Sequence, residues 1–392
     1  MLAEALEPHG GTVMWRAFVY AAENLDDRAK QAYDEFKPLD GTFRHNVLVQ
    51  VKNGPIDFQP REPFHPLFGA MPDTPLMMEF QVTKEYLGYS THLVYLGALY
   101  EEVLQADTFG AGEGSTVARV IDGSVHGYSR TGIAGVTNIG NDRDWSGSTF
   151  EQANWFAYGR LAWDPAGSAR AIAAEWLKMT FTPDEEFVEP ALEMMMRSRE
   201  AVVDYMTPLG LAHMMGTGHH HGPAPWVSEL GRPEWNPYYY HRADAEGIGV
   251  ERTADGTDAI WQYADPVAQQ FRGLDTVPDE YLLWFHHVPW NYEMRSGKTL
   301  WEEIVTHYDH GIAEVEAMQA TWEMLSPYVD AERFAKTQRY LEIQHKEALW
   351  WRDACLTYFS EVSGLALPEG ARVPEHPLEY YKELRFPFAP GR

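Results

Sequence analysis

The sequence predicts an α/β half followed by a mainly α-helical half. Three observations carry this: up to about residue 165 short β-rich apolar runs alternate with helical stretches; beyond it the periodicity is helical; and 392 residues, 45% of them hydrophobic and 14% aromatic, suffice to bury a large core. In the first half, strands are expected at residues 12–19, 46–51, 76–82, 92–96 and 132–139, with helices at 26–36 and 98–105. Strand, helix, strand in succession means a parallel sheet with crossover helices. Three to five such strands with their helices are too few to close a barrel, so an open edge would be left exposed.

The helical half, 166–392, begins with helices at 168–179 and 183–206 and is interrupted by a long loop over 216–257. Two long amphipathic helices close it. In the first, Leu300, Ile304, Tyr308, Ile312, Val315, Met318, Trp322 and Leu325 recur at three- and four-residue steps. In the second, Phe334, Leu341, Ala348, Cys355 and Val362 fall seven apart, and Gly364 sits where a helix stops. The proline-rich tail beyond Leu365 is expected to lack regular structure. No internal repeat or low-complexity tract interrupts this division.

Composition narrows the function. With 31 Lys plus Arg against 58 Asp plus Glu, the formal charge of −27 disfavours phosphate backbones and anionic bilayers as partners. An anionic substrate would need a locally basic pocket. The single cysteine, Cys355, excludes an internal disulfide framework and multi-cysteine metal sites. No run approaches the roughly 20 apolar residues of a membrane span. The opening MLAEALEPHG lacks a basic region followed by an apolar one, which gives a cytoplasmic protein as the expectation. There is no GxSxG elbow, phosphate-binding glycine loop or dinucleotide fingerprint, so hydride and phosphoryl transfer have no support.

The densest chemistry lies in NVLVQVKNGPIDFQPREPFHPLFG, where an apolar strand ends at Val51 and Lys52, Asn53, Gly54, Pro55 and Asp57 follow at once. In a parallel barrel the active site lies at the carboxyl ends of the strands, which puts Lys52 and Asp57 in position to act. The bland alternative is a turn-capping aspartate and a rim lysine. The next strand, LMMEFQV, leads into TKEYLG and places Glu85 just past another strand end. Two carboxylates from neighbouring strand ends, Asp57 and Glu85, can polarise a water between them, as an inverting glycosidase requires. Glu79 and Gln81 share a face within that strand, and pattern alone leaves Glu79 as a rival to Glu85. Arg16, near another strand end, is either a surface ion-pairing residue or, with Lys52, a clamp for a substrate carboxylate. In the loop PAPWVSELGRPEWNPYYYHRAD, Trp226, Trp235 and Tyr238 to Tyr240 either line a sugar subsite or pin the loop. The run His219, His220, His221 invites a metal reading, but consecutive loop histidines cannot all face one ion, and spaced ligands are lacking.

Together VMWRAFVY, NVLVQVKNGPIDFQPREPF, PLFGAMP, MEFQVTKEYLG, GSTVARVIDG, ANWFAYGRLAWDP, EWNPYYYHRADAEGIG and LLWFHHVPWNYEMRSGKTLWEE resemble the xylan α-1,2-glucuronidases of glycoside hydrolase family 67, nearly end to end. The resemblance implies a three-domain parent: an amino-terminal β domain, a (β/α)8 barrel, and a carboxy-terminal helical domain that helps form a homodimer. It implies release of 4-O-methylglucuronic acid from short glucuronoxylan-derived oligosaccharides (aldouronic acids), with inversion and without metal or organic cofactor. By the same resemblance Asp57 and Glu85 activate water, Arg16 and Lys52 bind the uronate carboxylate, and Trp235 lies near the xylose-binding side. The family's general acid, a glutamate on an earlier barrel strand, has no counterpart here, so the expectation is a fragment comprising the second half of the barrel (1–165) and the helical domain. The other readings are a non-catalytic sugar-binding or assembly protein derived from this family, and an unrelated metal hydrolase using the histidine run.

Overall fold

A computed structural model describes residues 1–19, 26–82, 91–137, 146–216 and 221–384. Four strands, β1 (Val13–Arg16), β2 (Val47–Lys52), β3 (Leu76–Gln81) and β4 (Ile133–Val136), form one parallel sheet in sequential order. This is the sheet the alternation predicts: β2 matches its apolar run in length, shifted by one residue, and the other three strands are one to four residues shorter than theirs. β2 and β3 are buried along nearly their whole length, as the near-continuous runs VLVQVK and LMMEFQ require of strands covered on both faces. β1 differs: Met14 and Trp15 are 61% and 52% exposed on the open edge of the sheet.

The helices follow in chain order: α1 (Leu2–Leu6), α2 (Arg28–Phe36), α3 (Gly97–Gln105), α4 (Val117–Ile121), α5 (Thr149–Trp163), α6 (Ala169–Thr180), α7 (Glu185–Met206), α8 (Tyr238–His241), α9 (Asp265–Arg272), α10 (Leu282–Phe285), α11 (Leu300–Met324), α12 (Ala331–Ser363) and α13 (Leu378–Glu383). α2 crosses from β1 to β2, and α3 and α4 lie between β3 and β4 in the chain; the β2–β3 connection carries a 3₁₀ turn, Pro66–Gly69, and no α-helix among the described residues. A two-stranded antiparallel ribbon pairs β5 (Gly247–Ile248) with β6 (Val288–Pro289) inside the helical half.

The helix ends follow the local chemistry. Thr299 and Glu302 form a reciprocal capping box that starts α11. Asp330 caps α12 through the Arg333 amide, and α12 stops at Gly364, which takes the left-handed conformation (φ 72°) that glycine adopts freely. All eight residues of the α11 stripe are buried; in α12 Leu341, Ala348 and Cys355 are buried, with Phe334 and Val362 packed at the margin.

The strand expected at 92–96 is not one. Its backbone bonds to side chains from three helices instead: Leu93 N donates to Gln344 Oε1 (2.8 Å), Tyr95 N to Ser198 Oγ (2.8 Å) and Leu96 N to Asn154 Oδ1 (2.8 Å). Asn154 Nδ2 and Gln344 Nε2 return bonds to Val94 O and Leu93 O. An apolar β-prone run thus satisfies its polar backbone without a neighbouring strand. The tail holds the short helix α13, where no regular structure was expected; it is anchored by the Tyr381 hydroxyl on Asp353 (3.3 Å).

Candidate active site

The register of the sheet assembles the site. Arg16 pairs with Gln50 on β2, and Lys52 pairs with Glu79 on β3. Gln50 and Lys52 are two apart and share a face, so all four stand together at the carboxyl ends of their strands. Glu79 is fully buried and accepts from Arg16 Nε (2.9 Å to both oxygens), from Arg16 Nη2 (2.6 Å) and from Gln50. Glu79 therefore works as the anchor that fixes the Arg16 guanidinium.

Beyond Lys52 the chain folds into a tight loop around Glu62, whose carboxylate accepts from Ile56 N (2.6 Å) and Gln59 N (3.0 Å). Gly54 permits this, since a Cβ there would lie 2.4 Å from the Glu62 Cβ. Phe58 adopts φ 52°, a conformation costly for a side chain of its size and one that marks functional loops. Gln59 ties the loop to the helical half: Nε2 donates to Asp57 O (3.0 Å) and Oε1 accepts from His213 N (2.6 Å).

This loop delivers Asp57 onto two cations. Lys52, buried, donates through Nζ to Asp57 Oδ1 (3.2 Å) and to Ile56 O, while Arg28 Nη2 lies 3.7 Å from Asp57 Oδ2. Arg16, Lys52 and Arg28 also surround one ring, with charge-to-centroid distances to Phe18 of 4.6, 5.0 and 5.6 Å. Burial pushes the Asp57 carboxyl up, but Lys52, Arg28 and His213 outweigh it and hold the group below the ordinary range, ionised at neutral pH. Burial dominates at Lys52 and draws its ammonium down, and burial raises the Glu62 carboxyl.

Of the residues singled out in the sequence, the structure brings together Arg16, Lys52 and Asp57. Glu85 lies outside the described residues, as do His219 and His220. Trp235 is 44% exposed, with Arg232 stacked 5.5 Å from its ring centroid. Its loop reaches the site, because the Tyr239 hydroxyl accepts from Arg28 N (2.7 Å). Sequence reasoning missed Arg28, His213 and Phe18. Arg28 follows Asp27, which caps α2 through Ala29 N (3.0 Å) and binds Arg252 Nε (2.7 Å), so the helix start is fixed and aims the Arg28 side chain.

His221 is buried beside Glu347, with Nε2 3.4 Å from Oε1, and His92 meets the other oxygen. Among the described residues no group of three or more His, Cys, Asp or Glu is placed to hold a metal ion, and no helix is long and apolar enough to cross a membrane.

Comparison with known proteins now decides the ancestry. Residues 1–145 match the glycosyl hydrolase family 67 middle domain and residues 146–372 the glycosyl hydrolase family 67 C-terminus. The chain belongs to glycosyl hydrolase family 67. It is 40% identical over 389 residues to alpha-glucuronidase A of Emericella nidulans and 40% identical over 385 residues to an alpha-glucuronidase of Hypocrea jecorina. An alpha-glucuronidase A of Aspergillus tubingensis is 37% identical over 386 residues. Each match covers 96% of this chain but 45% of the relative, so the chain spans about half the length of these curated proteins.

Proposed function

We propose that this chain carries the water-activating and uronate-binding part of an α-1,2-glucuronidase that releases (4-O-methyl)glucuronic acid from xylo-oligosaccharides with inversion. The observation that supports it most is Asp57, an ionised carboxylate at a strand end, ringed by cations in a chain of charge −27. Arginine does not shed its proton, so Asp57 between Lys52 and Arg28 leaves positive charge for a substrate carboxylate to neutralise.

In this reading Lys52 and Arg16 hold the uronate, with Arg28 adding charge behind them. Asp57, with Glu85, removes a proton from a water that attacks the anomeric carbon opposite the leaving xylosyl oxygen. The bond to that oxygen breaks as the water oxygen bonds, and the configuration inverts. The leaving oxygen needs a proton, which the general acid would supply from the part of the relatives' length that this chain does not span. The open edge at β1 would pair with a preceding barrel strand from that part, and the helical half would contribute a homodimer contact. Action on short, already released oligosaccharides fits a cytoplasmic site.

The test is release of 4-O-methylglucuronic acid from aldouronic oligosaccharides by the chain joined to the amino-terminal half of a curated relative. Asp57→Asn should cost on the order of 10²- to 10⁴-fold in kcat/KM. A folded joined protein that releases nothing, with or without the substitution, would sink the catalytic reading and leave a sugar-binding role.

A further inference from the structure

We infer that Asp204, His307 and His310 form a proton-linked clasp between α7 and α11, and that this clasp secures the segment carrying His213 to the Asp57 loop. Its bearing on catalysis rests on the reading above; the clasp itself does not. The two helices meet closely because position 311 is glycine: a Cβ there would lie 2.7 Å from Tyr205 N and 2.9 Å from Ala201 O. That approach lets one carboxylate of α7 reach two rings of α11. Asp204 Oδ1 lies 2.7 Å from His307 Nδ1, and Oδ2 lies 2.6 Å from His310 Nδ1.

A carboxylate only accepts, so each Nδ1 donates. The far nitrogens face carboxylates too: His307 Nε2 is 4.0 Å from Glu303 Oε1, and His310 Nε2 is 3.7 Å from Glu314 Oε1. Glu303, His307, His310 and Glu314 follow one another at helical spacing along a single face of α11. A neutral ring protonated on Nδ1 would turn its Nε2 lone pair toward that second carboxylate, and a second proton removes the conflict. Charge agrees. With both rings neutral, Asp204, Glu303 and Glu314 face Arg197 (Nη1 3.0 Å from Glu314 Oε2) and Lys298 (Nζ 3.7 Å from Glu303 Oε2), and one added proton balances the cluster. At His307 burial draws the imidazolium down, but Asp204 and Glu303 outweigh burial and Lys298 and hold it above its ordinary 6.5. A folded value above the unfolded one makes the contribution complete below pH 6.5 and loses it as pH rises through the folded value.

The clasp stands at the root of a strained connection. Asp204 is on the last turn of α7, which ends at Met206, and there the Tyr308 hydroxyl of α11 donates to Met206 O (3.4 Å). The chain then passes through Leu209 (φ 57°) to His213 (φ 50°), two left-handed conformations in residues other than glycine. His213 N donates to Gln59 Oε1 (2.6 Å), and His213 helps hold Asp57 ionised. Loosening α7 from α11 as pH rises therefore releases strain beside the loop that presents Asp57.

The experiment follows the whole chain by histidine side-chain NMR and by hydrogen exchange. His307, assigned by loss of its signal in His307→Gln, should titrate above 6.5. Asp204→Asn should move that titration down, Glu303→Gln should move it down by less, and Lys298→Gln should move it up. Glu303 and Lys298 lie at the edge of the cluster, so their opposite shifts decide the matter even where Asp204→Asn does not fold. Between about pH 6 and about pH 8 the protection of amides in 207–213, corrected for the intrinsic rate, should fall roughly threefold in the wild type and stay level in His307→Gln. A His307 titration at or below 6.5, shifts of the same sign in Glu303→Gln and Lys298→Gln, or protection with the same pH dependence in both proteins overturns the proposal. Neither readout involves a sugar, so failure of the glucuronidase reading would leave this result standing.

Discussion

At the end of β2, Asp57 stands between Lys52 and Arg28; beneath the helical half, Glu347 stands between His92 and His221. Each is a carboxylate between two nitrogen bases, but the surroundings differ. The Glu347 cluster is closed: His92 Nδ1 meets the Tyr205 hydroxyl (2.8 Å), which also accepts from Gln344 (3.3 Å), and the Glu347 side chain is 4% exposed. Both imidazoles are buried with the carboxylate, so the cluster is shut off from solvent. Arg28 has no neutral option, and the Asp57 side chain is 15% exposed. A buried cluster closed to solvent serves as a joint, here fixing the 91–96 segment to α12 through His92 and Glu347. A cluster that keeps charge and an opening suits a ligand, as the proposed uronate site requires.

The largest expected effect that separates the two concerns stability. Glu347→Ala leaves two buried imidazoles facing a void and should cost about 3–5 kcal/mol in urea unfolding, with glucuronate affinity unchanged. A small stability cost together with lost glucuronate binding would reverse the two roles. Next in size is a pH effect on the same cluster. Burial raises the Glu347 carboxyl, but His92 and His221 outweigh it and bring the group down from 4.5 to about 2 in the folded state. Its contribution is therefore present above pH 4.5 and is lost as pH falls toward 2, where the unfolded chain takes up the proton first. The stability gap between wild type and Glu347→Gln should shrink over that interval, and a gap that widens there contradicts the assignment.

The smallest effect is at the strand end. Arg28→Gln removes one of the cations that depress the Asp57 carboxyl, so its titration, followed by carboxyl NMR, should move to higher pH. An unmoved titration would mean that Lys52 and His213 alone set the charge state.

Much of this frame was readable beforehand. β2, β3, α2, α3, α11 and α12 announce themselves through near-continuous apolar runs or three-to-four-residue periods that the core then uses. The 92–96 segment misled because its backbone partners, Gln344, Ser198 and Asn154, are remote in sequence. α5 gave no clear stripe because polar Glu151 and Asn154 are buried alongside Phe150, Ala153 and Leu161. In the site, Lys52 and Asp57 were visible as polar residues crowding a strand end. Arg28 was not, since a lone arginine at a helix start carries no pattern until the fold turns it onto Asp57. Glu79 shows the limit of alternation: strand position makes it a rival base, and only the Arg16 and Gln50 contacts assign it as an anchor.

The most direct measurement is calorimetric titration of the chain with glucuronate and, separately, glucose, for the wild type and Lys52→Gln. The account predicts at least tenfold tighter binding of glucuronate by the wild type, about 1.4 kcal/mol, and loss of that preference in Lys52→Gln. Equal affinity for the two sugars in the wild type, or a preference that survives Lys52→Gln and Arg16→Gln together, would contradict it.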